Sequence, residues 1–356
     1  MESANEAYKV AVFGAYGHTG RFVVAELAAR GFVPVASGRD AAKLRELAAS
    51  RPGLDIRPAT AGDPASLDLA LSGVAAVINC AGPFAETAAP VIEAALRAGI
   101  PYVDVAAEIE ANADTFAHYA ARARTEGALI VPAMAFYGGL GDLLVTAALG
   151  DWTSADEAHI AYGLNSWHPT TGTRAAGEVS HARRGGRRVR FADGRLQYHD
   201  DPVSTTDWSF PAPMGTRTVV AEFTMADVVT VPSHLPIPEV RTYMTTEAAK
   251  DLSEPGTPAP VPADEHGRSD QTFLVDVVVR SGGTERRAVA RGRDIYAVTA
   301  PLAVEAVHRI LTGRTRTTGV ASPGAAFDAP DFLRALSDHI LVELPERDPE
   351  VLAARG

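Results

Sequence analysis

The amino-acid sequence predicts an α/β protein in which a doubly wound parallel sheet precedes a second α/β domain built on a mostly antiparallel sheet. Over the first 135 residues, short apolar runs alternate with helical patterns. Several runs are rich in Val and Ile and do not alternate polar with apolar, as strands buried on both faces require. After about residue 150 the pattern changes to polar–apolar alternation punctuated by turn signals, the mark of antiparallel strands with one open face.

The apolar runs of the first part are residues 9–14, 32–37, 54–57, 75–80, 102–105 and 128–131. Helical patterns lie between them at 21–30, 41–49, 66–71, 88–98 and 112–125, and Gly31, Gly73, Gly99 and Gly127 close helices just before the next strand. This alternation predicts parallel pairing through right-handed crossovers. Alternating strands follow at 159–162, 188–191, 218–223, 239–244, 273–280 and 287–290, with hairpin turns at 192–195 and 281–283. A helix is expected over about 173–184, capped by Thr170 or Thr171. Residues 251–268, with Pro255, Pro258, Pro260 and Pro262, read as a mobile loop. Helices at 301–311 and 330–336 are expected to pack back on the first domain. The expected division is 1–135, 136–300 and 301–356.

Composition narrows the function. The 356 residues are 46% hydrophobic and 22% charged, which excludes a disordered chain or a coiled-coil rod. A formal charge of −11 argues against a nucleic-acid binder, which needs a basic face. Cys80 is the only cysteine, so an intrachain disulfide is impossible, and a reducing, cytoplasmic setting is expected. The polar, acidic start (residues 1–6) does not read as a signal peptide. Residues 127–150 have the length of a membrane span and a single charge, Asp142. Pro132, Gly138, Gly139 and Gly141 interrupt that stretch, so a buried strand, a loop and a buried helix are expected instead.

The chemistry begins at Val10-Ala11-Val12-Phe13-Gly14-Ala15-Tyr16-Gly17-His18-Thr19-Gly20-Arg21. Here an apolar strand enters a glycine-spaced turn and then an amphipathic helix. Gly14 permits the tight turn, Gly17 admits a pyrophosphate close to the backbone, and Gly20 lets helix and strand pack closely. Amides at residues 15–20 and the positive end of the helix then face an anion. This is the Rossmann arrangement for a dinucleotide, with Gly14, Tyr16, Gly17, His18, Thr19 and Gly20 as its contacts. The second strand ends Ala36-Ser37-Gly38-Arg39 with no acid at its tip. A guanidinium there suits a 2′-phosphate, with Ser37 as a further donor, so NADP(H) is expected. The competing assignment leaves Arg39 in solvent and gives the ribose to Asp40.

Together with Val77-Ile78-Asn79-Cys80-Ala81-Gly82-Pro83-Phe84 and the run Ala94-Ala95-Leu96-Arg97-Ala98-Gly99-Ile100-Pro101-Tyr102-Val103-Asp104, these motifs resemble the saccharopine dehydrogenase-like NADP-binding family. Within it the chain looks most like the bacterial trans-acting enoyl reductase and saccharopine reductase-like proteins. The likeness covers residues 8–150, with echoes at Gly172-Thr173 and over 294–311. It implies a Rossmann domain, a second α/β domain covering the nicotinamide, and hydride transfer. Two departures stand out. The turn reads Ala-Tyr-Gly-His where relatives usually have Ala-Thr-Gly-Tyr, and no glycine follows near Ala88.

Asn79, Cys80, Ala81, Gly82, Pro83 and Phe84 follow the fourth strand at the carboxyl edge of the sheet, where they can line the nicotinamide ribose. Cys80 reads as a small buried side chain rather than a reactive thiol. Asp63 is either an adenine contact or a helix cap before Pro64. Reduction also needs a proton donor, and Tyr137, Asp142 and His168 are the candidates near the domain crossover. Asp142 reads equally as a helix cap. Thr173 and Arg174, at the start of a helix, are candidate substrate contacts. The basic run Arg183-Arg184-Gly185-Gly186-Arg187-Arg188 is either a solvated hairpin shoulder or a dock for an acidic carrier or phosphate-bearing substrate.

The ten histidines show no metal-binding spacing, so no metal is expected. The expected function is NADP(H)-dependent reduction of a C=C, C=N or C=O bond in a small or carrier-bound substrate. A saccharopine- or homospermidine-type imine reductase and a catalytically silent NADP-binding sensor are the alternatives. A homodimer stays open.

Overall fold

Residues 7–345 are described by a computed structural model, and their strands fall into two sheets. In the first, β1 (Lys9–Phe13), β2 (Val33–Gly38), β3 (Asp55–Pro58), β4 (Ala76–Asn79), β5 (Tyr102–Asp104) and β6 (Leu129–Val131) are all parallel. Helices α1 (His18–Ala29), α2 (Ala41–Ala49), α3 (Pro64–Ala70), α4 (Phe84–Ala98) and α5 (Ile109–Glu126) connect them. The order β3-β2-β1-β4-β5-β6 reverses between β1 and β4 and opens a crevice at their carboxyl ends. Helices cover both faces: Val10, Val12 and Ile78 belong to one apolar core, and Ala11 and Val77 to the other. That two-sided burial explains the unbroken apolar runs. Gly99 and Gly127 end α4 and α5 in the left-handed conformation, both at φ 66°.

The 127–150 stretch resolves into β6, a tight π-type turn over Phe136–Leu140 and the buried helix α6 (Gly141–Leu149). Among the described residues, no helix is long and apolar enough to cross a membrane.

The second part comprises β7 (Glu157–Leu164), α7 (Thr171–Arg183), β8 (Arg188–Ala192), β9 (Arg195–His199), β10 (Thr205–Ser209), β11 (Thr216–Ala221) and α8 (Asp227–Thr230). It continues through β12 (Glu239–Thr245), α9 (Thr246–Ser253), β13 (Thr272–Ser281), β14 (Thr284–Arg293) and α10 (Thr299–Leu311). Its sheet runs β10-β11-β12-β7-β13-β14, and the β8–β9 hairpin branches from β12. Pairing is antiparallel except between β7 and β12. Positive φ at Asp193-Gly194 and at Gly282-Gly283 makes the two tight hairpin turns.

The remaining elements are β15 (Gly319–Val320), α11 (Pro323–Ala326), α12 (Ala329–Arg334) and β16 (Ile340–Glu343). They are divided between the two sheets rather than belonging to one. α10 lies against α1, where Glu305 takes Arg30 at 2.7 Å, and β15 extends the first sheet beside β6. By contrast β16 pairs with β14 on the edge of the second sheet. That strand ties residues 340–343 to the second sheet. Its hydrogen bonds are non-local and leave no local mark. The stretch 251–268 begins inside α9, and Asp264 then accepts from the amides of His266 and Arg268. The acidic start at residues 1–6 and the final residues 346–356 lie outside the described residues.

Candidate functional site

Gly14 takes φ +86°, and a Cβ there would stand 2.8 Å from the Ala81 amide nitrogen. At Gly20 the space is tighter still, with a Cβ 2.2 Å from the Gly14 carbonyl oxygen. The turn holds itself in shape. The amides of Gly14 and Ala15 donate to the Ser37 carbonyl at 2.8 and 3.1 Å, and Gly17 donates to Gly14 at 3.0 Å. The donors left over differ from the expected set of residues 15–20, because Ala15 and Gly17 are engaged within the turn. Tyr16, His18, Thr19 and Gly20 keep amides with no acceptor among the described residues, and no side chain caps α1. They present an anion site at the positive end of a 12-residue helix.

At the tip of β2, Arg39 is exposed and makes no ion pair among the described residues. Asp40 is engaged elsewhere: its carboxylate caps α2 by accepting from Ala42 and Lys43 at 3.0 and 3.1 Å. Asp40 is also absent from the cleft wall, and its other carboxylate oxygen lies 3.9 Å from the Lys43 ammonium. Lys43, which sequence reasoning passed over, adds a second cation on the same wall, 5.7 Å from the Tyr16 ring centroid. Ser37 corrects its assigned role. It is 1% exposed and absent from the cleft wall, so its carbonyl braces the glycine turn and its hydroxyl does not reach a phosphate.

The loop after β4 is built by buried polar groups. Asn79 is fully buried behind the cleft, accepting from the Ala81 amide and donating to Tyr102 and Thr87. It shapes the loop rather than touching a ligand. Cys80, Ala81, Gly82, Pro83 and Phe84 do line the cleft. Burial, with the Asp104 charge adding, pushes the Cys80 thiol far up, so it stays an unreactive thiol. Asp63 caps α3. A residue that sequence reasoning missed closes the loop. Glu108 receives the amides of Phe84 and Ala85 at 2.8 and 3.1 Å, supplying α4 with the cap that Pro83 cannot. Burial raises Glu108 to about 7 against the pull of those two amides.

Across the crevice, Tyr137 lies in the π-type turn before α6, where its φ/ψ are non-helical. Its ring stacks on Trp167 at 5.0 Å and meets Tyr162 at 4.9 Å. The hydroxyl is buried without a partner, and the residue lines the cleft. Tyr296 anchors the facing wall: its hydroxyl takes the Trp167 indole N–H at 3.1 Å and the Thr170 amide at 3.3 Å, and donates to the His168 carbonyl. Thr170 caps α7 by accepting from Thr173.

Thr173 and Arg174 line the cleft with their side chains already engaged. Thr173 binds Tyr296, and Arg174 donates to the carbonyls of Glu254 and Thr257. His168 and Asp142 are not in the cleft wall at all. His168 enters the hydrogen-bond network through its carbonyl. Asp142, fully buried, holds His234 at 2.7 Å and the Gly324 amide at 2.6 Å. Its carboxylate is spent on these two structural contacts, so it does not cap α6 and does not reach the cleft as a proton donor. Three members of the basic run have acidic partners, Arg183 with Asp114, Arg184 with Glu110 and Arg188 with Glu222, while Arg187 lies over Tyr198; Arg184, Arg187 and Arg188 line the cleft.

Beneath Tyr137, Tyr162 donates to the fully buried Asp227 at 2.8 Å, and the other carboxylate oxygen of Asp227 has no partner. Burial lifts Asp227 to about 7, with the Asp142 charge adding and the Tyr162 hydroxyl opposing. A raised carboxyl stabilises the fold below its unfolded pKa and loses that contribution as pH rises through about 7. Asp227→Asn, which cannot ionise, is therefore expected to gain on the wild type as pH climbs from 4. The gap should level off above 7 at on the order of 4 kcal/mol. Thermal melts from pH 5 to 8 check this, and parallel Tm curves would rule it out.

Residues 10–131 match the family described as the saccharopine dehydrogenase NADP binding domain. Over those residues, the first sheet and its helices are similar to that family. Its cofactor is accordingly NADP(H), and the residues present fit it: bare amides for the diphosphate, no room for a Cβ at Gly14 or Gly20, and two cations at the β2 tip. A probable mitochondrial saccharopine dehydrogenase-like oxidoreductase of Arabidopsis thaliana is 33% identical over 144 residues, which are 36% of this chain and 32% of the plant protein. The saccharopine dehydrogenase-like oxidoreductase of Bos taurus is 29% identical over 154 residues, 38% of this chain and 36% of its own. The matches thus span about a third of the length of these curated relatives. The apo saccharopine dehydrogenase (L-Glu forming) of Saccharomyces cerevisiae superposes with a TM-score of 0.64 at 12% identity. That alignment covers 96% of this chain and 100% of the yeast chain, so the likeness in fold extends through the second sheet.

Proposed function

We propose that the protein is an NADP(H)-dependent oxidoreductase that reduces a C=C, C=N or C=O bond in a small or carrier-bound substrate. One observation carries the reading: Tyr16, His18 and Thr19 of the glycine turn and Tyr137, whose buried hydroxyl has no partner among the described residues, all line a single cleft of about 2320 Å³. Small-molecule sites usually occupy roughly 300–1,000 Å³, so a dinucleotide leaves space for a second reactant. When bound, the reduced nicotinamide supplies hydride. The amides of Tyr16, His18, Thr19 and Gly20 hold the diphosphate, Arg39 and Lys43 hold the 2′-phosphate, and the 80–84 loop braced by Glu108 lines the ribose beyond. Tyr137 donates the proton to the reacting heteroatom. Burial keeps its phenol protonated well above the ordinary range, with the charges of Tyr296 and Asp227 adding, so at neutral pH it holds a proton to donate.

In this reading residues 1–135 carry the cofactor and 136–300 form the substrate wall. The setting is cytoplasmic and reducing, in keeping with a lone, unreactive thiol. The test is NADPH oxidation, followed by absorbance, over a panel of enoyl thioesters, imines and ketones. Tyr137→Phe should retain NADPH affinity while turnover falls by about 10²–10⁴-fold. Undiminished turnover would remove Tyr137 as the donor. Binding with no turnover on any acceptor would leave an NADP-binding sensor.

A further inference from the structure

His18 is one of the positions where the glycine turn departs from the family pattern, and its side chain has surroundings of its own. The imidazole lines the cleft from the first turn of α1. It is held edge-on by Phe22 at 5.3 Å and by Tyr296 at 5.2 Å, so that α1 and the 294–296 segment grip it from two sides. Its Nε2 is buried and has no hydrogen-bond partner. The charged groups facing it are Asp294 from the segment before α10 and Arg21 from its own helix. Asp294 is engaged elsewhere, one oxygen receiving the amides of Tyr296 and Ala297 at 3.0 Å and the other that of Ser269 at 2.7 Å. A buried ring nitrogen without a partner therefore belongs to the first turn of the helix whose start carries the bare amides.

We propose that His18 takes up a proton from solvent when the cofactor's diphosphate settles on the turn, and that its imidazolium then holds that anion. The proposal rests on the turn being the NADP(H) site and adds a titrating side chain to the backbone donors there. In the free protein, burial keeps the imidazole below its ordinary pKa, Asp294 opposing and Arg21 assisting, so the ring is neutral near pH 7. A bound diphosphate brings negative charge within reach and favours the protonated ring. The complex is then favoured at low pH, and affinity falls as pH rises through the bound-state pKa.

The experiment is calorimetric titration of NADPH into the whole protein and into His18→Asn, in buffers of different ionisation enthalpy, from about pH 6 to 9. The cofactor's 2′-phosphate itself titrates near pH 6, so the difference between the two proteins is what reads His18. The wild type should take up more protons than the variant. Its affinity should exceed the variant's about tenfold at pH 6 and converge with it by pH 9. Imidazole NMR of the wild type with and without NADPH gives the same answer should His18→Asn fail to fold: a shift of the His18 ring to its protonated form supports the proposal, and an unchanged ring overturns it. Equal proton uptake with parallel affinity curves would sink the role of His18 while leaving the cofactor site intact. A wild-type protein that binds no NADPH would sink both.

Discussion

Arg39→Ala is expected to weaken NADPH binding by about 10–100-fold while changing NADH affinity less than about twofold. A charge-assisted hydrogen bond contributes roughly 1.5–3 kcal/mol, and a tenfold change in affinity corresponds to about 1.4 kcal/mol. Arg39 is exposed at the end of β2 without an ion pair among the described residues, so it meets a 2′-phosphate without first breaking another contact. Asp40 is poorly placed to take over as a ribose acceptor, because it lies outside the cleft wall and one of its oxygens caps α2. Lys43 remains on the same wall and keeps the loss from being complete. Added salt should narrow the gap between the two cofactors in the wild type, since the contact is between solvent-exposed charges. Fluorescence titration of the reduced nicotinamide measures both affinities. An equal loss for NADPH and NADH would remove Arg39 from the 2′-phosphate.

Gly20→Ala is the other large effect, and it acts through backbone geometry. The new methyl would lie 2.2 Å from the Gly14 carbonyl oxygen and 3.0 Å from the Ala15 Cα, both main-chain atoms that cannot rotate aside. Helix α1 must shift away from β1, carrying the amides of His18, Thr19 and Gly20 with it. Overpacking a tight site costs about 1–3 kcal/mol. NADPH affinity should drop by about a hundredfold as the donors leave their common focus, and Tm should fall by several degrees. Gly62→Ala is the control: it lines the same cleft, yet a Cβ there meets nothing within 4 Å, so both readouts should stay at wild-type values. Tight NADPH binding by Gly20→Ala would mean that the diphosphate does not sit on this turn.

The two halves of the site were unequally legible. The cofactor half could be read because its requirements lie within a few residues of one another: three glycines at fixed spacing, a strand before them, a helix after them, and a guanidinium where an acid would favour the other nucleotide. Even there the tertiary structure rearranged details. Ser37 turned inward because its carbonyl braces the turn, and Ala15 and Gly17 gave their amides to the turn itself. On the substrate side the reading failed where partners are distant in sequence. Asp142, a lone charge in an apolar stretch, invited assignment as a cap or an acid. Its actual partners are 92 and 182 residues away, which no local pattern displays. Glu108 was overlooked for the same reason, since the amides it receives are 23 and 24 residues earlier. Tyr296 was overlooked likewise, joining groups 123 to 129 residues back.

From the sequence alone came the parallel sheet, the glycine turn and the preference for a phosphorylated dinucleotide. These follow from steric and charge requirements satisfied between near neighbours in the chain. The tertiary structure decided which polar side chains reach the cleft and which are consumed in holding it open. Burial and hydrogen-bond pairing set that outcome, across 23 residues at Glu108 and 182 at Asp142, and they arise only once distant segments have packed together.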